Sequence, residues 1–462
     1  MSDQPYHTPH VAAQGVTAKF QSWCIVNGDV AQVASMLNAE HFDALLSDPP
    51  YGLSFMNKRW DYDVPTIAAW AALLRVLKPG APILAFGGSR TYHRLVCAAE
   101  DAGVEVRDQL QYLYGTGFPK SQDASKAIDA AAGAVREVVG ESPFASRRVG
   151  PSNSERTTGS FAHADSTTTA PATPLAQQWE GYGTALKPAF EPIMLGRKPL
   201  VGTLASNIAA HGVGPLAIDA CRIEGVKGVP ASMPTAASSS GMFQGMNARP
   251  MGDGQNPNVG QNPNVGRWPA NVILDEAAGA VLDAQSGDRK SGIAVTRNGG
   301  GGKIHAGIGN GSPAGYVEPR PDSGYSDSGG ASRFFYCAKA SRSEREAGLG
   351  HLPLVQPAEI HGREEGSAGL QNPRAGAGGK SARRNTHPTV KPLALVEYLA
   401  KLIKPPTGAA KTGGRILVPY SGSGSEIIGA LQAGWSEVVG IELDPNYVQI
   451  AKARIVHFCG GL

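Results

Sequence analysis

Cysteine is scarce and scattered in this sequence. Its five residues, Cys24, Cys97, Cys221, Cys337 and Cys459, lie far apart, with no CxxC and no Cys/His cluster. That spacing excludes a disulfide framework, leaves no metal site to expect, and fits a reducing compartment. Long apolar runs are missing too. No stretch of about 18 apolar residues occurs, which argues against a membrane-spanning helix. The opening MSDQPYHTPH has neither the basic nor the apolar region of a secretion signal. The expectation is a soluble, cytoplasmic protein with no membrane partner. A global excess of charge is also absent, with 42 Lys and Arg against 39 Asp and Glu. No overall polycationic character therefore advertises nucleic acid.

What is present begins with length. The 462 residues suffice for two domains, or for one domain with large insertions. Glycine (59) and proline (34) make up a fifth of the chain, above the usual share of about 12% and below the ~25–30% of low-complexity sequence. Long irregular stretches must therefore interrupt an otherwise folded chain. Charge is also segregated. Arg289–Lys391 carries 15 basic and 8 acidic residues, which gives that segment a net +7 and the remainder −4. A basic face is the expectation.

Residues 1–20 are polar and read as a loose leader. From Trp23 onward strand-like and helix-like runs alternate at short spacing: WCIV (23–26), VAQVASML (30–37), FDALLS (42–47), VPTIAAWAALLRVL (64–77), APILAFGG (81–88), TYHRLVCAAEDAG (91–103) and VEVRDQLQYLYG (104–115). Such alternation implies βαβ units and a mostly parallel sheet. The pattern then thins. Ordered islands at 189–200, 202–223, 267–275 and 332–346 stand among Gly-, Pro- and Ser-rich segments, and QNPNVG occurs twice in tandem at 255–266. That pair is too short for a solenoid repeat, and its prolines and asparagines predict a turn-forming surface loop. Regular texture returns with PLALVEYLAKLI (392–403), GRILVPY (414–420), EIIGALQAG (426–434), EVVGIEL (437–443) and NYVQIAKARI (446–455). The two ends of the chain read as halves of one α/β domain: 22–130, then an inserted region 131–384, then 385–457.

Three constellations carry chemistry. Ser47-Asp48-Pro49-Pro50-Tyr51-Gly52 follows the buried strand FDALLS. Two prolines fix the backbone and donate no N–H, so the turn is rigid and its carbonyls are free to accept. Asp48 at a strand tip, a proline carbonyl and the flat face of Tyr51 suit a planar group bearing an exocyclic amine. An ordinary polar turn is the plain alternative. The second constellation is Pro419-Tyr420-Ser421-Gly422-Ser423-Gly424 between strand and helix, with Glu442 ending the next strand. Glycines admit a ligand to the backbone, and a carboxylate about 20 residues after such a loop typically accepts from ribose hydroxyls. The third is Thr386-His387-Pro388-Thr389-Val390-Lys391-Pro392 at a helix start, where Lys391 could set a cation beside a ligand carboxylate. Taken alone, a simple helix start is the better explanation of this segment.

In this order the motifs resemble those of the β-class DNA amino-methyltransferases, which modify adenine N6 or cytosine N4. Several middle segments (YGTGFPKS, ALKPAFEPIMLGRKP, GRWPANVI, SRFFYCAKAS) look like those of bacteriophage and prophage members. The resemblance covers about 22–130 and 385–457. It implies a Rossmann-like, circularly permuted methyltransferase fold with a large insertion for target recognition, S-adenosylmethionine (SAM) as cofactor, and double-stranded DNA as partner, as in restriction-modification systems. It assigns Asp48, Pro49, Pro50 and Tyr51 to catalysis. The cofactor would meet Asp48, Pro419, Tyr420, Ser421, Gly422, Ser423 and Gly424, with Glu442 on the ribose and Lys391 and His387 near the carboxylate. Asp29 would meet the cofactor adenine, although an N-cap role accounts for it equally. One departure stands out: Val418 occupies the place of a frequent family Asp. Adenine N6 is the expected target. Cytosine N4 is the nearest rival, followed by a protein or RNA amine, or a non-catalytic DNA-binding protein whose SAM site has decayed.

Overall fold

Apolar residues in this chain fall into short runs, and in the structure, a computed structural model, ten of these runs pair into one sheet. Residues 8–17, 19, 21–53, 61–115, 117, 121–141, 167–223, 266–290, 328–338, 342–361, 382–406 and 414–460 are described. The tandem QNPNVG, but for its last glycine, and much of the basic segment lie outside them. The strands are β1 (His10–Val16), β2 (Ser22–Asn27), β3 (Ala44–Ser47), β4 (Pro82–Phe86), β5 (Glu105–Leu113), β6 (Phe190–Arg197), β7 (Val272–Asp275), β8 (Tyr336–Ala338), β9 (Arg415–Pro419) and β10 (Glu437–Glu442). Across the sheet they run β1-β2-β10-β9-β3-β4-β6-β5-β7-β8. β2, β10, β9, β3 and β4 are parallel, whereas β6 is antiparallel to both its neighbours.

The C-terminal pair β9 and β10 therefore lies between two N-terminal strands, and both ends of the chain build one sheet. Parallel strands buried on both faces read as continuous apolar runs, and all four residues of β3 are buried. Its successive side chains enter opposite cores: Leu46 joins Phe86, Val418 and the helices Leu393–Leu402, Ser425–Gln432 and Pro445–Cys459. Leu45 joins Ile83, Leu417 and the helices Val30–Met36, Ile67–Val76 and Tyr92–Asp101. At the amino edge, the fully buried Asp43 carboxylate accepts the Arg415 N–H (2.7 Å) and pairs with Lys78, fastening the two chain halves together.

Three expectations change. The described part of the leader is not loose, because His10–Val16 zips antiparallel onto β2 and covers that edge of the sheet. The middle region is not simply inserted: β6, β7 and β8 come from the ordered islands at 189–200, 267–275 and 332–346 and extend the main sheet. The helix read at 64–77 begins only at Ile67, where Thr66 caps the Ala69 N–H; Pro65 precedes it. Among the described residues no helix is long and apolar enough to cross a membrane, and no group of His, Cys, Asp and Glu could hold a metal ion. All five cysteines are free.

Candidate active site

Four parallel strands end together along the carboxyl edge of the sheet: β2 at Asn27, β3 at Ser47, β9 at Pro419 and β10 at Glu442. From β9 the chain moves to β10 on one side, and from β3 to β4 on the other. Such a reversal opens a crevice, the usual ligand position in an open α/β sheet. The Ser47 hydroxyl donates to the Pro419 carbonyl across it (3.1 Å), so the loops after β3 and β9 are fixed to each other.

The loop after β3 leaves the sheet at Asp48 because Pro49 and Pro50 cannot continue a ladder. It is then gathered from below by Asp61. That carboxylate, 3% exposed, accepts the N–H groups of Tyr51 (2.7 Å), Gly52 (3.1 Å) and Leu53 (3.3 Å). Thr91 donates to the Tyr51 carbonyl. Tyr51 in turn donates its hydroxyl to Asp48 Oδ1 (2.8 Å). No described residue donates to the Pro49 carbonyl.

Lys391 comes into this loop rather than standing apart from it. Its ammonium lies 3.0 Å from Asp48 Oδ2, 3.0 Å from Glu191 Oε2 and 3.0 Å from the Tyr51 hydroxyl. It also sits over the rings of Tyr51 and Phe86, at 5.3 and 4.7 Å. Burial disfavours the charge, but Asp48, Glu191 and Tyr51 outweigh it and hold the ammonium well above its ordinary value. The Tyr51 phenol is held well above its own by burial, then by Asp48 and Glu191. Two carboxylates and one ammonium leave the cluster with one net negative charge.

The loop after β9 turns on positive φ angles at Tyr420 (58°), Gly422 (48°) and Gly424 (80°). A Cβ on Gly422 would lie 2.6 Å from the His387 ring nitrogen, so His387 packs directly on the glycine turn, edge to Tyr447. Its ring accepts no extra charge easily: burial pushes it down to about 4. Glu442 closes the turn, with Oε2 accepting the Gly422 N–H (2.7 Å) and Oε1 the Asp444 N–H (2.8 Å). Burial nonetheless pushes its carboxyl up to about 7. Behind the turn, the fully buried Arg454 donates to the Ser423 carbonyl (2.6 Å), the Ser423 hydroxyl (2.9 Å) and the Ser425 hydroxyl (3.1 Å). Asp29 caps the helix Val30–Met36 through the Gln32 N–H. Val418 faces the apolar core, so that position offers the crevice no polar group.

The structure thus brings Asp48, Tyr51 and Lys391 into one cluster, and Tyr420–Gly424, His387 and Glu442 into a second beside it. Lys391 belongs to the first cluster and His387, from the same segment, to the second. Sequence reasoning missed Asp61, Glu191, Glu426 and Arg454. Asp61 binds backbone ten residues earlier, a partnership no side-chain pattern announces. Glu191 reaches the site only because β6 packs antiparallel beside β4. Glu426 reads as an ordinary first-turn acid, yet it is 5% exposed and its Oε1 has no hydrogen-bond partner among the described residues.

No family model matches the chain, and no curated protein does. Among solved structures, it is similar to M1.HpyAVI (10% identity over 94% of this chain and 98% of that one, TM-score 0.35). It is also similar to the PvuII DNA methyltransferase, described as cytosine-N4-specific (9%, 97% and 90%, TM-score 0.37). A third is TTHA0409, a putative DNA modification methylase from Thermus thermophilus solved with S-adenosyl-L-methionine (12%, 94% and 94%, TM-score 0.33). Likeness at that level transfers no residue role. The functional reading rests on the site itself.

Proposed function

We propose that this chain is a SAM-dependent DNA methyltransferase that modifies an exocyclic amine, with adenine N6 as the target. The observation that carries the reading is the pairing of two loops across one crevice: an Asp-Pro-Pro-Tyr turn holding a net negative cluster, and a glycine turn closed by a buried carboxylate. The interleaving of β9 and β10 between β2 and β3 agrees with a circularly permuted order of motifs. Besides Arg454 Nε and Nη2 behind the glycine turn, two buried oxygens beside it, Ser421 Oγ and Glu426 Oε1, have no hydrogen-bond partner among the described residues. Buried polar groups are rarely left so, and a polar ligand in this turn would answer both. The residues therefore fit the cofactor. Glu442, whose oxygens each keep a lone pair beyond the backbone bond, would hold the ribose, and Tyr420–Gly424 would line the methionyl part.

When bound, SAM supplies an activated methyl group. The chain must supply an aimed nucleophile. A nucleobase amine is a poor one because its lone pair is delocalised into the ring. Asp48 and the Pro49 carbonyl, accepting its two N–H bonds, draw the nitrogen toward tetrahedral geometry and turn the lone pair outward. Positive charge develops on that nitrogen in the transition state, and a net negative cluster stabilises it. Lys391 alone would cancel Asp48; Glu191 restores the negative charge. The base must leave the duplex to reach this loop, and Tyr51 bounds the pocket that receives it. Ser47 is committed to Pro419, so Asp48 is the acceptor side chain of the turn.

The test is to treat unmethylated duplex DNA with the protein and SAM and analyse its nucleosides by mass spectrometry. N6-methyladenine is the expected product. N4-methylcytosine alone would overturn the target base and leave the chemistry standing, whereas no methylated nucleoside would overturn the reading.

A further inference from the structure

Glu426 is an acid near the crevice that the foregoing chemistry does not use. It sits in the first turn of the helix Ser425–Gln432, two residues past Gly424. Its side chain is almost wholly withdrawn from solvent, and its Oε1 has no hydrogen-bond partner within the described structure. Arg454 is the cation behind it: its Nη1 donates to Ser423 and Ser425, while its Nε and Nη2 have no hydrogen-bond partner among the described residues, so it acts on Glu426 through charge and not through a hydrogen bond. Besides burial, the charge of Asp48 raises the Glu426 carboxyl, while Lys391, the residue's own backbone N–H and Arg454 lower it. A buried carboxyl oxygen without a donor is costly at an ordinary protein site, and burial pushes this carboxyl up to about 7. A cationic donor arriving with a ligand would relieve that cost.

Resting on the reading above, we propose that Glu426 is a cofactor-positioning residue that receives the α-ammonium of the SAM methionyl group. Three features fit this assignment. The carboxyl belongs to the residue two past Gly424, beside the end of the glycine turn along which a ligand's amino-acid end would be threaded, and it feels the charges of Asp48 and Lys391. The site's other cation, Lys391, is committed to Asp48 and Glu191. The net negative charge around Asp48 further favours an ammonium over the ligand's carboxylate at this end. The contact fixes the direction in which the amino-acid tail leaves the sulfonium, and so helps aim the methyl at Asp48.

Titration calorimetry of the parent chain and Glu426→Gln, with thermal melts to verify the fold, tests this. The probes are SAM, decarboxylated SAM (which keeps the ammonium and loses the carboxylate) and 5′-methylthioadenosine (which lacks both). In the variant, SAM and decarboxylated SAM should each bind roughly tenfold to a hundredfold more weakly, the range for losing a charge-assisted bond. Binding of 5′-methylthioadenosine should stay unchanged. Equal weakening of all three would mean a structural role and overturn the inference, as would unchanged SAM binding. Failure of the parent chain to bind SAM at all would instead overturn the functional reading, and this inference with it.

Discussion

Lys391 joins Asp48 and Tyr51 of one turn to Glu191, far along the chain, and this pairing makes a prediction about Asp48. Asp48→Ala removes the acceptor for the target amine but leaves Lys391 paired to Glu191. Methyl transfer should be abolished while SAM affinity falls far less, a contrast measured by nucleoside analysis beside calorimetry. Glu442 makes a different prediction. Its carboxyl, pushed up to about 7 by burial, is largely protonated at pH 6 and ionised at pH 8. The ionised form has more acceptor capacity for ribose hydroxyls. SAM affinity should therefore rise from pH 6 to pH 8, and Glu442→Gln should remove part of that rise in calorimetry, the remainder belonging to Glu426, which is pushed up to about 7 as well. Glu442→Ala should cost roughly 1.5–3 kcal/mol of binding if both bonds are charge-assisted. None of this electrostatics could be read from residue type: Glu442 and Glu426 look like ordinary acids until tertiary packing takes water away from them.

At the scale of elements, the two loops owe their shape to opposite devices. The glycine turn is built on backbone freedom. Gly422→Ala would force a left-handed φ on an L-residue, about 1–2 kcal/mol, and drive its Cβ into the His387 ring. Loss of SAM binding with a lowered melting temperature is the expected outcome, read by calorimetry and a thermal scan. The Asp-Pro-Pro-Tyr loop is built on a carboxylate instead. Asp61→Ala would strand three N–H groups, each worth about 1–3 kcal/mol when buried and unsatisfied. Turnover should fall and KM for DNA should rise, with KM for SAM nearly unchanged, in steady-state methyl transfer. The glycine turn was legible in the sequence because glycine itself is the signal. The Asp61 support was not, because its partners are main-chain groups that every residue has.

For the whole molecule, the decisive fact is that the last two strands are central. β9 and β10 contribute Leu417, Val418, Val439 and Ile441 to both cores, between Ile25 of β2 and Leu45 and Leu46 of β3. A chain ending before residue 385 would leave β2 and β3 with no common neighbour and expose both apolar faces. It should show no cooperative unfolding transition in calorimetric or denaturant melts. A truncated chain that unfolded cooperatively at a parent-like temperature would refute the interleaved sheet.

The sequence alone determined the alternation of elements, the order of the motifs and the residue types that face the crevice. These are local properties: periodicity, proline and glycine chemistry, and carboxylates at strand ends. The helix and strand ranges at both chain ends were legible for that reason to within a few residues. The tertiary structure alone decided which distant residues share a charge. Pairing β6 against β4 brought Glu191 to Lys391, packing on Gly422 fixed His387, and burial made Glu426 and Glu442 unlike other acids. It also decided that the polar N-terminal segment becomes an edge strand, since β2 offers unpaired N–H and C=O groups that no neighbouring residue in sequence reveals. Local pattern is written along the chain, whereas burial and charge pairing are properties of what the fold brings together.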